Sequence, residues 1–330
     1  MKTIGFPTIS IKKYGGDIYT DRVKEALGTS FNVETIGITA KHLGRHRYLK
    51  FIEFFYNLCK LKGEKNLWIR DFYSTISMPF DKTKGKNMAL IFHIDFSGFP
   101  VISRPFLRFM ERFFLYRDLK KADFIVTISE YWKDFFVKKG YKNVYKIYCG
   151  FNLNNFNISE QEVIDFKKKY KIDGKPIIYL GNCQRPKGVV ESCKILKDLD
   201  VHLVTSGRRQ VKIPAINFNL EYREYLKLLK ASTMAITMSK FKEGWCMTAH
   251  EAMLCKTPVI GSGLGGMEEL LEGGKQIICK DFKNLREKVE YLLKHPDARR
   301  NMGENGYNFA RGFTLEKFKE NWLNLIKKMI

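Results

Sequence analysis

Two glutamates, Glu243 and Glu251, stand in the stretch KFKEGWCMTAHEAMLCKTPVIGSGLGGMEELL, residues 240 to 271, with residues 244–250 between them. An ionised carboxylate only accepts hydrogen bonds, and its two oxygens suit a pair of sugar hydroxyls. The stretch ends in Gly265-Gly266 ahead of MEELLEG. Such a turn is expected to offer free backbone N–H groups and the positive end of a helix dipole, both of which favour an anion. Acids that read hydroxyls beside a turn that reads an anion point to a sugar phosphate or a nucleotide sugar. Each acid also has a plainer reading. Thr248-x-x-Glu251 is a capping box, in which Glu251 would serve only its own helix, and Glu243 would be a solvated loop acid.

The neighbouring pattern supplies the elements that must position these residues. MAITMS, ahead of Glu243, and PVIGS, after Glu251, read as strands, and TAHEAMLCK between them reads as a helix with Glu251 in its first turn. The same alternation fills the chain. TIGFPTI, NVETIGI, NLWIRDF, MALIFHID, DFIVTIS and VYKIYCG are strand-like in the first half, and PIIYLG, VHLVTSG, AINFNL, MAITMS, TPVIGS and QIICK in the second. Helical stretches separate them, as parallel βαβ units require. The fold class is α/β with doubly wound parallel sheets, whose ligands bind at the carboxyl ends of strands. A length of 330 residues predicts about two domains at roughly 150 residues each. Their junction is expected at the Asn-rich turn near Gly150–Phe156. The closing run TLEKFKENWLNLIKKMI carries Phe318, Trp322, Leu325 and Ile326 as one helical stripe.

Composition narrows the classes. The hydrophobic fraction of 45% is that of a globular protein. No apolar run is long enough for a spanning helix, and the first strand begins so near Met1 that no signal peptide is expected. The seven cysteines are odd in number, scattered and without a C-x-x-C pair. They are expected to be reduced thiols of a cytoplasmic protein, not a disulfide frame or a zinc site. The His and Asp residues show no ligand spacing, so neither a metal nor another cofactor is expected.

Charge adds a partner. Lys and Arg number 58 against 35 acids, a net +23, and such a field attracts polyanions. In RHRYLKFIEFFYNLCKLK, residues 45–62, Tyr48, Phe51, Ile52, Phe55, Leu58 and Cys59 fall at helical spacing among Arg45, Arg47, Lys50, Lys60 and Lys62. RPFLRFMERFFLYRDLKK, residues 104–121, repeats the mixture. Basic helices with aromatic faces mark an interfacial membrane surface, so an anionic bilayer is the expected partner, with the apolar faces packing inward and the basic rims meeting the headgroups. Zinc-finger spacing, an RNP-type aromatic motif and a basic tail are all missing, which disfavours nucleic acid.

Residues 240–271 resemble the donor-site signature of family-4 glycosyltransferases, retaining enzymes of the GT-B fold, written as two Glu flanking seven residues. Further segments are similar in the same order: Lys13-Tyr14-Gly15-Gly16 to the N-terminal glycine loop, ADFIVTISEYWKDF (122–135) to a strand and following helix, CGFNLNNF (149–156) to the interdomain segment, and IIYLGNCQRPKGVV (177–190) to the phosphate-binding start of the second domain. The resemblance implies two Rossmann-like domains facing an interdomain cleft. Residues 1–153 would form an acceptor-side domain, joined by a C-terminal helix, about 312–330, crossing back to it. Residues 154–311 would bind the nucleotide-sugar donor.

It also implies roles. Glu251 would hold ribose hydroxyls, Glu243 the transferred sugar, and Lys187 the diphosphate, with Gly244, Trp245, Cys246, Met247, Gly265 and Gly266 around them. Gly15 and Gly16 would let backbone approach the phosphates, and His93 would face the sugar and acceptor, with Asp95 competing for that place. The family commonly has Arg after the glycine of the phosphate strand. This chain has Asn182 there, and Arg185 is the substitute candidate. The expected reaction moves a hexose, with retention, from a nucleotide-diphosphate sugar to a glycan or glycolipid acceptor at the inner face of a membrane. A sugar-nucleotide epimerase or phosphorylase of the same fold, and a catalytically silent basic nucleic-acid or lipid-binding protein, are the alternatives. Dependence on phosphate or free sugar would mark the first alternative, and salt-sensitive binding that ignores nucleotide sugars the second.

Overall fold

Strands covered on both faces read as near-continuous apolar runs, and the runs predicted above become two parallel sheets. The computed structural model of the protein describes residues 1–9, 15–43, 49–96 and 104–330. The chain divides into two compact units, residues 1–149 with 316–330, and residues 150–315.

In the first unit β1 (Thr3–Ile9), β2 (Asn32–Ile38), β3 (Lys62–Arg70), β4 (Lys82–Leu90), β5 (Phe124–Thr127) and β6 (Val144–Lys146) pair in the order β2-β1-β3-β4-β5-β6. Every pairing is parallel. The helix Leu315–Met329 turns Phe318, Trp322, Ile326 and Met329 inward at helical spacing. Phe318 meets the Tyr19 ring edge-on at 5.2 Å. The Trp322 indole donates to the Tyr19 hydroxyl at 3.3 Å, which itself donates to the Ile147 carbonyl at 2.8 Å. Lys86 donates to the Met329 carbonyl at 2.6 Å.

One charge is sunk in this unit. Arg70, at the end of β3, is 1% exposed. It donates to Asp81 at 2.7 Å, Asn87 at 2.6 Å, Thr83 at 2.6 Å and the Ser74 carbonyl at 3.1 Å. Burial works against its charge and the Asp81 carboxylate supports it.

The two basic helical stretches turn part of their apolar residues inward, as expected, and part outward. In the helix Lys50–Cys59, Phe54 and Leu58 are buried, but Ile52 and Tyr56 are 63% and 57% exposed. In residues 104–119, Leu115 and Leu119 are buried while Phe109 and Phe113 face outward, their rings 4.5 Å apart. Each stretch carries more apolar groups than its buried face takes in. Arg45, Arg47 and Tyr48 lie outside the described residues.

In the second unit β7 (Ile177–Asn182), β8 (His202–Ser206), β9 (Ile216–Phe218), β10 (Met234–Thr237), β11 (Val259–Gly261) and β12 (Ile277–Ile278) pair, all parallel, in the order β12-β11-β10-β7-β8-β9. Successive connections run one way from β7 to β9 and the other way from β10 to β12. The order therefore reverses between β7 and β10, where such a sheet opens a crevice at its carboxyl edge. All seven cysteines are unbridged. Among the described residues no helix is long and apolar enough to cross a membrane, and no group of three His, Cys, Asp or Glu stands ready to hold a metal ion.

Candidate active site

A pocket opens at that reversal point, lined by Gly181 and Asn182 from β7, Thr237 and Ser239 from the end of β10, and Lys187, Cys246 and Thr248. Gly181 leaves β7 with φ +88°, and the chain then makes one 3-10 turn, Arg185–Lys187. The turn depends on Gly188, at φ +72°, where a Cβ would lie 2.1 Å from the Met238 carbonyl oxygen. Only glycine accepts both that φ and that approach. Its effect is to hold Lys187 beside the end of β10.

Glu243 is not a solvated loop acid. It is 5% exposed, and its Oε1 accepts from Lys187 Nζ at 2.6 Å and from Ser239 Oγ at 2.5 Å. Lys187 also lies over the Phe241 ring, 4.9 Å from its centroid. Lys187 itself lines the pocket, so its ammonium stands at the pocket wall beside Glu243. The loop is fixed through its backbone: Glu243 N–H donates to the Leu264 carbonyl at 3.0 Å, and Gly266 N–H to the Glu243 carbonyl at 2.9 Å. Gly265, at φ +72°, lies so close that a Cβ there would stand 2.5 Å from the Glu243 carbonyl oxygen. This corrects the expectation of free donors. The Gly266 N–H is spent on the loop, and the short helix Met267–Gly273 carries Glu268 and Glu269 in its own first turn.

Glu251 is not a capping residue. The helix Met247–Leu254 starts from Cys246, with no side-chain cap, so Glu251 lies one turn in and is 6% exposed. Tyr222 donates to its Oε1 and Tyr225 to its Oε2, each at 3.1 Å. Burial holds the Tyr225 phenol well above its ordinary pKa, with Tyr179 and Glu251 adding to the shift, so it stays a donor. Each carboxylate oxygen is thus held by one phenol. Behind this pair Tyr179 and Ser206 share a hydrogen bond at 2.7 Å, and Ser206 donates to Asn182 Oδ1 at 3.2 Å.

Cys246 takes a left-handed backbone, φ 60° and ψ 71°, which costs a side-chain-bearing residue about 1–2 kcal/mol. Burial, with Glu243 adding, pushes its thiol up to about 12, so it lines the pocket as a neutral group. Asn182 is engaged by Ser206, whereas Arg185 is exposed, its charge acting on Glu191. Gly244 and Trp245 are buried in the loop, and Met247 opens the helix.

The remaining candidates belong to the first unit. Gly15 and Gly16 open the helix Gly15–Gly28, beyond the carboxyl end of β1. A Cβ on Gly16 would meet the Phe92 ring at 3.0 Å, so that ring already occupies the space of the missing side chain. Lys13 and Tyr14 lie outside the described residues. His93 is exposed in the segment that follows β4, and Asp95 is half-buried two residues on.

Sequence reasoning missed Ser239, Tyr222 and Tyr225. Tyr222 and Tyr225 lie three apart on one helix, and neighbours at that spacing share a face. That signal was available. Ser239 carries none, because a single serine after a strand has no pattern.

The second unit holds a family domain. Residues 160–309 match the model of the glycosyl transferases group 1. An uncharacterized glycosyltransferase of Methanocaldococcus jannaschii is 27% identical over 221 residues, covering 62% of this chain and 60% of that protein, so the chain spans less than two thirds of this relative's length. Among solved structures, sucrose-phosphate synthase from Thermosynechococcus elongatus superposes with a TM-score of 0.79 at 17% identity, covering 100% of this chain and 99% of that one. Anabaena HepE in complex with UDP-glucose does so with 0.73 at 14%, covering 99% and 100%. Residues 160–309 thus carry a domain of the glycosyl transferases group 1, and the two doubly wound sheets share the GT-B architecture of these neighbours.

Proposed function

We propose that the protein is a retaining glycosyltransferase that moves a hexose from a nucleotide-diphosphate sugar to a lipid-linked or surface-glycan acceptor. The observation that carries this reading is the pocket at the β7/β10 reversal, with Lys187 and buried Glu243 on one side of a loop and helix whose other acid is Glu251. Glu251, held in place by Tyr222 and Tyr225, accepts the ribose hydroxyls. Lys187 faces the diphosphate and offsets the charge that grows as the bond from the sugar to the phosphate oxygen breaks, the kind of interaction that dominates such steps. Glu243 holds Lys187 in place and takes a sugar hydroxyl. The acceptor oxygen forms its bond on the face the nucleotide leaves, and its proton passes to the departing phosphate. Gly15, Gly16 and His93 are the first unit's candidates for phosphate and acceptor contact, and no metal takes part.

The test is a melting panel of UDP, GDP, ADP and their sugars, with UDP-glucose first because HepE was solved with it. A ligand at 100 times its dissociation constant adds about 2.7 kcal/mol. One nucleotide is expected to raise the melting temperature by several degrees in the wild type and not in Glu251→Ala. No rise with any of them, from a protein that melts cooperatively, would favour a silent binding protein instead.

An anionic bilayer is the place where a lipid-linked acceptor would be met. Ile52, Tyr56, Phe109 and Phe113 are exposed apolar groups set among Lys50, Lys60, Arg108 and Arg112, a composition suited to the interface. Each basic residue near such a surface contributes about 1 kcal/mol. Co-sedimentation is expected with vesicles containing phosphatidylserine and not with phosphatidylcholine alone, with release in high salt and in Ile52→Ser/Phe113→Ser. Equal binding to both vesicle types would remove the bilayer from this reading.

A further inference from the structure

His250 sits in the donor-site stretch, yet no role above uses it. It is fully buried, and both ring nitrogens are engaged. The Trp245 indole lies 3.0 Å from Nδ1, and the Ala310 carbonyl 3.1 Å from Nε2. An indole can only donate and a carbonyl only accept. The imidazole is therefore neutral, with Nδ1 accepting and the proton on Nε2. Its ring stacks on Phe151 at 4.1 Å with an interplanar angle of 14° and meets Phe313 edge-on at 5.1 Å.

These contacts have a common location. The chain passes between its two units at Cys149–Gly150 and at Leu315–Glu316. Just inside the second unit the two passages are laced together: Phe151 N–H donates to the Phe313 carbonyl and Leu315 N–H to the Phe151 carbonyl, each at 2.9 Å. His250 thus has the Glu243 loop bonded to one ring nitrogen, through Trp245, and the segment leading to the second passage bonded to the other. We infer that His250 is a positioning residue that ties the Glu243 loop to the paired passages, so that they shift as one body and the Lys187–Glu243 pair keeps its register for the reaction proposed above. A misplacement of about 1 Å is enough to cost 10²-fold in rate.

Trp245→Phe tests this by removing one N–H and keeping the ring. Its effect is read by amide hydrogen exchange, which requires no substrate. Exchange at Phe151 and Leu315 is expected to quicken at least tenfold, while His202 and Thr233, bonded at the far end of the sheet, stay as in the wild type. Unchanged exchange at Phe151 and Leu315, or an equal rise at all four, would overturn the inference. The kinetic arm rests on the proposed activity and uses whichever nucleotide sugar raises the melting temperature. In His250→Phe, kcat is expected to fall tenfold or more with donor KM within threefold. His250→Asn, which keeps an acceptor for the indole, is expected to recover part of that loss. A wild-type kcat in His250→Phe would overturn the positioning role even with the exchange result in hand, whereas absence of any turnover in the wild type would count against the proposed activity alone.

Discussion

On the proposed activity, Lys187→Ala is expected to lower turnover by about 10²- to 10³-fold, the loss that follows removal of one preorganised donor from a developing oxyanion. The same change strips a buried carboxylate of its cation, because Glu243 has Lys187 at 2.6 Å and little solvent. A fall in rate could then reflect a disordered loop. The double variant Lys187→Ala/Glu243→Gln separates the two effects. Replacing both partners of a buried pair is often close to neutral, whereas removing one is costly. The melting temperature is expected to fall in Lys187→Ala and to recover in the double variant, while turnover stays low in both. A single variant with turnover within threefold of wild type would exclude Lys187 from the leaving-group role.

Arg70→Ala is expected to destabilise the first unit by about 3–5 kcal/mol, the cost of stranding one member of a buried ion pair. Asp81 is 2% exposed at its side chain, so water cannot replace the guanidinium, and Asn87 and Thr83 lose donors as well. With a urea m-value of about 1–3 kcal/mol/M, the midpoint followed by tryptophan fluorescence falls by at least 1 M. Arg70→Met/Asp81→Leu, which removes both charges, is expected to regain most of that loss. A midpoint shift below 0.3 M in Arg70→Ala would show that the pair adds nothing beyond its packing. Nucleotide-induced stabilisation of the second unit is expected to be unchanged, because the partners Asp81, Asn87, Thr83 and Ser74 all belong to the first unit.

Much of this architecture is legible from residue order alone. TIGFPTI and NVETIGI coincide with β1 and β2; β1 is an apolar run buried in the sheet, whereas β2, at the sheet edge with only Ile38 buried, is marked by its β-branched residues. β3 and β4 begin earlier than their apolar runs. Lys62, Gly63 and Glu64 pair with Lys82, Thr83 and Lys84, and a strand held by backbone bonds at a solvated edge needs no apolar side chains. FYSTISMPFDKTKGKN was unreadable for a similar reason: it combines a short helix capped by Asp71, Phe72–Ser77, with the polar start of β4. The site divides likewise. Glu243, Glu251 and Lys187 could be singled out because their neighbours in sequence mark a strand end, a helix start and a glycine turn. What each acid touches could not, because Ser239, Tyr222 and Tyr225 reach it only once the sheet has formed.

The helix Leu315–Met329 is made after the second unit but belongs to the first. On the ribosome, residues 150–315 emerge before it, which takes about 10 to 30 s at 5–20 residues per second. Through that interval Tyr19 lacks the aromatic pair that covers it, whereas the second unit already has all of its chain. The first unit is therefore begun before the second and completed after it. A stop codon in place of Glu316 would leave the second unit with all of its chain and the first without the helix that covers Tyr19.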